Sequence, residues 1–160
     1  MQSRIPNPAL SVPGLLDALQ ILSKAADDAA SQAGLAQTTL ELVNLRASQI
    51  NGCAVCLDMH SRGAKKAGET DERLFTLAAW RDTPYFTDAE RAALALTEAG
   101  TRLADHGEPV PDVLFDAAAE HYDEGALSAL VVCIAAINMW NRLNVLAWQQ
   151  SGEWTAQLVN

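Results

Sequence analysis

Cysteine is scarce in this chain: Cys53, Cys56 and Cys133 are the whole complement in 160 residues. So low and odd a count, without a secretion signal, argues against a structural disulfide framework. Basic residues are also few. Eleven Lys and Arg stand against 20 Asp and Glu, a formal charge of −9. A surface of that sign repels phosphate, so neither nucleic acid nor an anionic membrane is an expected partner. The opening MQSRIPNPAL lacks a basic segment leading into an apolar one, so no signal peptide is expected. The most apolar run, 126–140, has 15 residues, whereas a spanning helix needs roughly 20. We expect it to be a buried helix that also offers subunit contacts. A reducing, cytoplasmic setting is the resulting expectation, and there a close cysteine pair points to catalysis or metal binding. Alternating strand patterns, low-complexity tracts and interdomain linkers are missing as well.

What remains is helical. Hydrophobic residues make up 49% of the chain, enough for the core of one domain. Ser11 as a cap with Pro13 in the first turn predicts a first helix, carrying Leu15, Leu16, Leu19 and Leu22 at helical spacing. Thr38, three before Glu41, predicts a capping box opening a second helix. Asn51-Gly52 breaks that helix. A third is expected over 54–67, ending at Gly68, and Thr70-Asp71 caps a short fourth reaching Trp80. Thr87 with Glu90 repeats the capping-box pattern after the loop at Pro84. A Pro/Gly break at 106–112 precedes a helix through 112–122, and a long helix is expected from near Asp123 past Trp148. The expected fold is a single all-α domain of antiparallel helix pairs joined by short connections.

The stretch GCAVCLDMH, residues 52–60, carries the chemistry. Cys53 falls where a helix begins and Cys56 in its first turn, where free N–H groups and the helix dipole favour a thiolate. Cys53, Cys56 and His60 are spaced i, i+3, i+7, hence on one face. The i, i+3 spacing also permits a disulfide across one turn. Glu41 and Ser48 share a stripe of the preceding helix, which an antiparallel hairpin turns toward the cysteines.

Magnitudes rank these groups. A free thiol is roughly 3% ionised at pH 7. Lowering its pKa by about two units raises that fraction some twenty-five-fold, of which reduced nucleophilicity takes back about eight-fold. Positioned proton transfer is worth about 10²–10⁴. Glu41 and His60 should therefore matter more to rate than the dipole.

Other readings compete. CxxC is a common zinc half-site, with His60 as a third ligand and no evident fourth. Covalent c-type haem needs a histidine directly after the second cysteine, where Leu57 stands. Glu41 alone reads as a cap, and His60 as a residue of a polar face. Cys133 reads as a small core residue, and His106 and His121 as solvated. Trp140, Trp148 and Trp154 read as core or subunit-interface anchors. Asn138, Asn141 and Arg142 are polar exceptions on the long apolar helix, at a helix crossing or lining a pocket.

The pattern Glu41, Cys53, Cys56, His60 in an all-α chain of this length resembles the AhpD-like alkylhydroperoxidase family, within the carboxymuconolactone decarboxylase superfamily. The likeness is strongest over 38–68. It extends through FTDAERAALALTEAGTRL and EGALSALVVCIAAINMWNRLNVLAW. The resemblance implies that Cys56 attacks a hydroperoxide, Cys53 resolves the sulfenic acid to a disulfide, and Glu41 and His60 relay protons. It implies an external dithiol or lipoyl-bearing reductant, no haem or flavin cofactor, and trimers or hexamers. Val55 stands where the best-known members carry a second histidine. A cofactor-free decarboxylase or lyase on the same scaffold, and a non-catalytic redox sensor or zinc module, are the alternatives.

Overall fold

The computed structural model describes residues 2–105 and 107–156. It is all-helical, with no strand among the described residues. A four-residue α1 (Pro8–Ser11) leads into α2 (Leu15–Gln32), α3 (Gln37–Asn51) and α4 (Ala54–Lys66). Then come α5 (Asp71–Thr76), a 3₁₀ segment (Leu77–Asp82), α6 (Asp88–Thr101), α7 (Asp112–Ala119), α8 (Glu124–Leu146) and α9 (Glu153–Ala156).

The central element is α3, which packs on α4, α6 and α8, while α2 lies along α8. Its buried residues, Thr39, Leu40, Glu41, Leu42, Val43, Leu45, Ala47 and Ser48, point to several sides, as a helix surrounded by others requires. Val43 joins Leu96, Leu130 and Ile134 in one core cluster. Leu42 and Leu45 join Leu77, Trp80, Phe86 and Leu94 in another.

Several boundaries differ from expectation. Ser11 ends α1, with its hydroxyl donating to the Asn7 carbonyl at 2.8 Å, and does not cap α2. The N-cap of α2 is Gly14 at φ 75°, a left-handed conformation suited to glycine. Pro13 thus lies in the turn before α2. The predicted box at Thr38 does not form: α3 starts at Gln37 behind Ala36, with no side-chain cap. Thr38 is therefore already inside the helix, and Glu41 is too far along to reach back. At α6 the predicted box is complete: Glu90 N–H donates to Thr87 Oγ1 at 3.2 Å and Thr87 N–H to Glu90 Oε2 at 2.8 Å. The long helix begins at the Asp123 cap as predicted but stops at Leu146, and Trp148 sits beyond it at φ 53°.

At 23 residues α8 is long and apolar enough to cross a membrane by length and composition, yet more than half of its most apolar window is buried in the bundle. Cys133 packs with Ala26, Ala30, Leu40 and Ala129, and burial, then Asp27, pushes its thiol up to about 11. Trp140 is half-buried, whereas Trp148 and Trp154 are exposed in the single chain.

Candidate active site

The junction of α3 and α4 sets the cysteines. Gly52 adopts φ 68° and ends α3, and Cys53 N–H donates to the Ser48 carbonyl at 3.1 Å. Cys53 is then the extended N-cap of α4, and its sulfur accepts the Cys56 N–H at 3.4 Å. The two sulfurs lie 2.7 Å apart, each residue 1% exposed. Ala47, Val55, Ile137 and Trp140 pack around them. Val55 is thus a core side chain here.

The two thiols are hydrogen-bonded to each other, and their acidities separate. The hydrogen bond from Cys56 lowers the Cys53 pKa to about 7, against the opposing effect of burial. Cys56 is pushed well above the ordinary thiol range, first by that same bond, then by burial and the Cys53 charge. This reverses the expectation that first-turn placement favours a thiolate at Cys56. The helix donor goes to the cap sulfur, because an N-cap side chain accepts from the N2 or N3 amide.

Glu41 and His60 form a second pair, Nδ1 to Oε2 at 2.7 Å, both largely buried. Gln37 Nε2 donates to the other Glu41 oxygen at 3.2 Å. Gly63 makes room for this carboxylate: a Cβ there would lie 2.6 Å from Glu41 Oε1. Asp27 on α2 flanks the pair, its carboxyl pushed up by desolvation and by Glu41 and pulled down by His60. Among the described residues no hydrogen bond joins the Glu–His pair to the cysteines. The link is α4 itself, where Cys56 and His60 are i, i+4 neighbours.

A buried amide network closes the third side. Asn141 Nδ2 donates to Ser48 Oγ at 3.0 Å, and Asn51 Nδ2 donates to the Oδ1 atoms of Asn138 and Asn141 at 2.9 Å. Asn138 also donates to Thr101 Oγ1 at 3.0 Å and accepts from Arg142 at 2.9 Å. Asn144 Nδ2 donates to Cys56 Sγ at 3.5 Å. The polar exceptions of the long helix thus lie at its crossings with α3 and α6. Sequence reasoning missed Asn144, Asn51 and Gly63. A signal existed: 138, 141 and 144 are asparagines three apart on an apolar helix, where polar residues are unusual.

A cavity of about 340 Å³ lies at the other end of α3, lined by Thr38, Thr39, His121 and Tyr122 among others, and by none of the four predicted site residues. His121 is exposed, and His106 falls outside the described residues. Among the described residues no group of three or more His, Cys, Asp or Glu is placed to hold a metal ion.

An all-α bundle with a buried CxxC beside a Glu–His pair defines the class. The model of the carboxymuconolactone decarboxylase family matches residues 13–99, and the chain belongs to that family. It is 43% identical over 114 residues to the uncharacterised protein YdfG of Bacillus subtilis (strain 168), covering 71% of this chain and 76% of that one. It is 36% identical over 104 residues to the uncharacterised protein YnjA of Escherichia coli (strain K12), covering 64% of this chain and 55% of that one. Among solved structures it is similar to a protein of unknown function from Agrobacterium tumefaciens, for which a role as the antioxidant defence protein AhpD has been suggested. That match has a TM-score of 0.83 and 33% identity, and covers 94% of this chain and 99% of that one. The debrominase Bmp8, in complex with 2,3,4-tribromopyrrole, shares the fold at a TM-score of 0.74 and 21% identity, over 92% of this chain and 78% of that one.

Proposed function

We propose that this protein is a thiol-dependent peroxidase that reduces hydroperoxides through a Cys53–Cys56 disulfide. The observation that carries the reading is two buried sulfurs 2.7 Å apart, one helical turn from a hydrogen-bonded His60–Glu41 pair. Membership of the family and the likeness to the Agrobacterium protein support it.

In the proposed cycle Cys53 starts as the thiolate and Cys56 as the thiol. Cys53 takes the shared proton as the Cys56 sulfur attacks the peroxide, breaking the O–O bond. Cys56 becomes a sulfenic acid, and protonated His60, held by Glu41, gives its proton to the departing alkoxide. Cys53 then loses its proton to His60 and attacks the Cys56 sulfur. Hydroxide leaves and regains that proton as water. The sum is one hydroperoxide and two thiols giving alcohol, water and a disulfide. An external dithiol, of lipoyl type or similar, restores the thiols in a reducing cytoplasm. Assembly as a trimer or hexamer completes the reading, with exposed Val131, Val132 and Leu146 of α8 as candidate contacts.

The test is peroxide consumption with a dithiol reductant, comparing wild type with Cys56→Ser. The substitution should abolish turnover, and one equivalent of peroxide should yield a Cys53–Cys56 disulfide by mass. Equal rates would remove the reading and favour a lyase that needs no thiol.

A further inference from the structure

A buried carboxamide is costly unless its donors and acceptor are satisfied. Asn138 and Asn141 donate to oxygens of α3, α6 and α8 and accept from Asn51 Nδ2 of α3. Asn144 differs. It is buried at 6% exposure, and its carboxamide donates to sulfur, that of Cys56, rather than to oxygen. A thiol sulfur is a weak acceptor and a thiolate a strong one. The contact is therefore modest while Cys56 is a thiol and strong when charge comes onto that sulfur, and the same carboxamide also acts to lower the Cys53 pKa.

We propose that Asn144, backed by Asn141, is a catalytic anion-holding group that stabilises the sulfur charge of the Cys53–Cys56 pair as its disulfide is opened by a dithiol. This rests on reading the pair as a redox disulfide. The carboxamides of Asn141 and Asn144 both act to lower the pKa of each thiol. Asn51 is a positioning residue: by donating to Asn141 Oδ1, it fixes which end of that amide faces Ser48 and the sulfurs. The titratable Glu41–His60 pair of α3 and α4, flanked by Asp27 of α2, makes no hydrogen bond to the sulfurs among the described residues. From α8 the cysteines meet Ile137, Trp140 and the Asn144 carboxamide, Arg142 being engaged with Asn138.

In the reductive step the reductant's thiolate bonds to one sulfur of the pair, the S–S bond breaks, and its electron pair leaves on the other sulfur. That sulfur is the anion the carboxamides receive. The second reductant thiol loses its proton, attacks the mixed disulfide and releases the first cysteine. The reductant departs as a disulfide, two electrons poorer, and the protein pair holds those electrons and one shared proton.

The experiment titrates the reduced protein by thiolate absorbance and measures its equilibrium with dithiothreitol, for wild type and Asn144→Leu. The substitution should weaken the first acid dissociation about tenfold, the size of one charge-assisted hydrogen bond. At a pH two units above the wild-type midpoint, the reduced form should lose about tenfold in the dithiol equilibrium, about 30 mV. One unit below the midpoint it should lose almost nothing, because the anion is scarcely populated there. A merely structural defect would shift both points equally. An unchanged midpoint, or a shift equal at both pH values, overturns the proposal. Asn144→Ala, which removes the donor without adding bulk, must give the same pattern if the leucine variant does not fold. A wild type inert to peroxide removes the peroxidase reading, while this titration still decides the role of Asn144.

Discussion

Gly63 has no side chain, and the Glu41 carboxylate fills the space where one would be. An alanine in a helix interior is ordinarily worth about 1 kcal/mol over glycine. Here its Cβ would push aside a largely buried, hydrogen-bonded carboxylate, so the helix gain is opposed by the cost of disturbing that pair. The Glu41–His60 geometry should not survive. We expect Gly63→Ala to lower the urea midpoint and to cut peroxide turnover of the folded protein about tenfold, a part of what positioned proton transfer supplies. Full turnover would separate the pair from the chemistry. The four spaced residues were legible because their relation is local: a turn of helix at 53–60 and one hairpin back to Glu41. Which thiol is the more acidic was not legible, since it depends first on the hydrogen bond between the two sulfurs and then on the Cys56 amide at Cys53. Nor was Asn144, which reaches Cys56 from 88 residues away.

At the scale of elements, one carboxylate ties three of them together. Glu98 of α6 accepts from Arg46 of α3 at 2.6 Å, from Trp80 Nε1 at 2.9 Å and from Arg81 at 2.7 Å. Burial alone would raise its pKa, but those donors outweigh it and hold the carboxyl below its ordinary value. Glu90, buried and bonded to Arg73 and Thr87, is lowered in the same way. A depressed carboxyl contributes stability above its unfolded pKa, near 4.5, and loses it as pH falls through the folded value. Urea midpoints should therefore decline below about pH 4.5. Removing one partner of a buried pair costs about 3–5 kcal/mol, so Glu98→Ala should lower stability by that order near pH 7. Its acid decline should also be shallower than wild type. Caps were legible where a single register was available, as at Thr87. At α3 the helix begins at Gln37, ahead of the predicted cap, and Glu41 pairs with His60 of α4 instead.

For the whole molecule, the surface leaves Val131, Val132, Val145 and Leu146 of α8 exposed, with Ile21 of α2. Light scattering in solution should give a multiple of the 17.1 kDa chain mass, in keeping with the proposed trimer or hexamer. A monomer at working concentrations would overturn that assembly. Trp148 and Trp154, exposed in the single chain, are further candidates for such contacts.

Sequence alone determined the all-helical class, most helix positions and the four-residue pattern of the site, because helical period, caps and breaks act over a few residues. Tertiary structure decided the rest. The packing of α8 brought Asn144 to the Cys56 sulfur and joined Asn138 and Asn141 to side chains of α3. The approach of α4 to α3 turned Glu41 from a predicted cap into the partner of His60. The hydrogen bond between the two sulfurs lowered the Cys53 pKa and raised that of Cys56. These outcomes depend on distances between segments far apart in the chain, which local pattern does not encode.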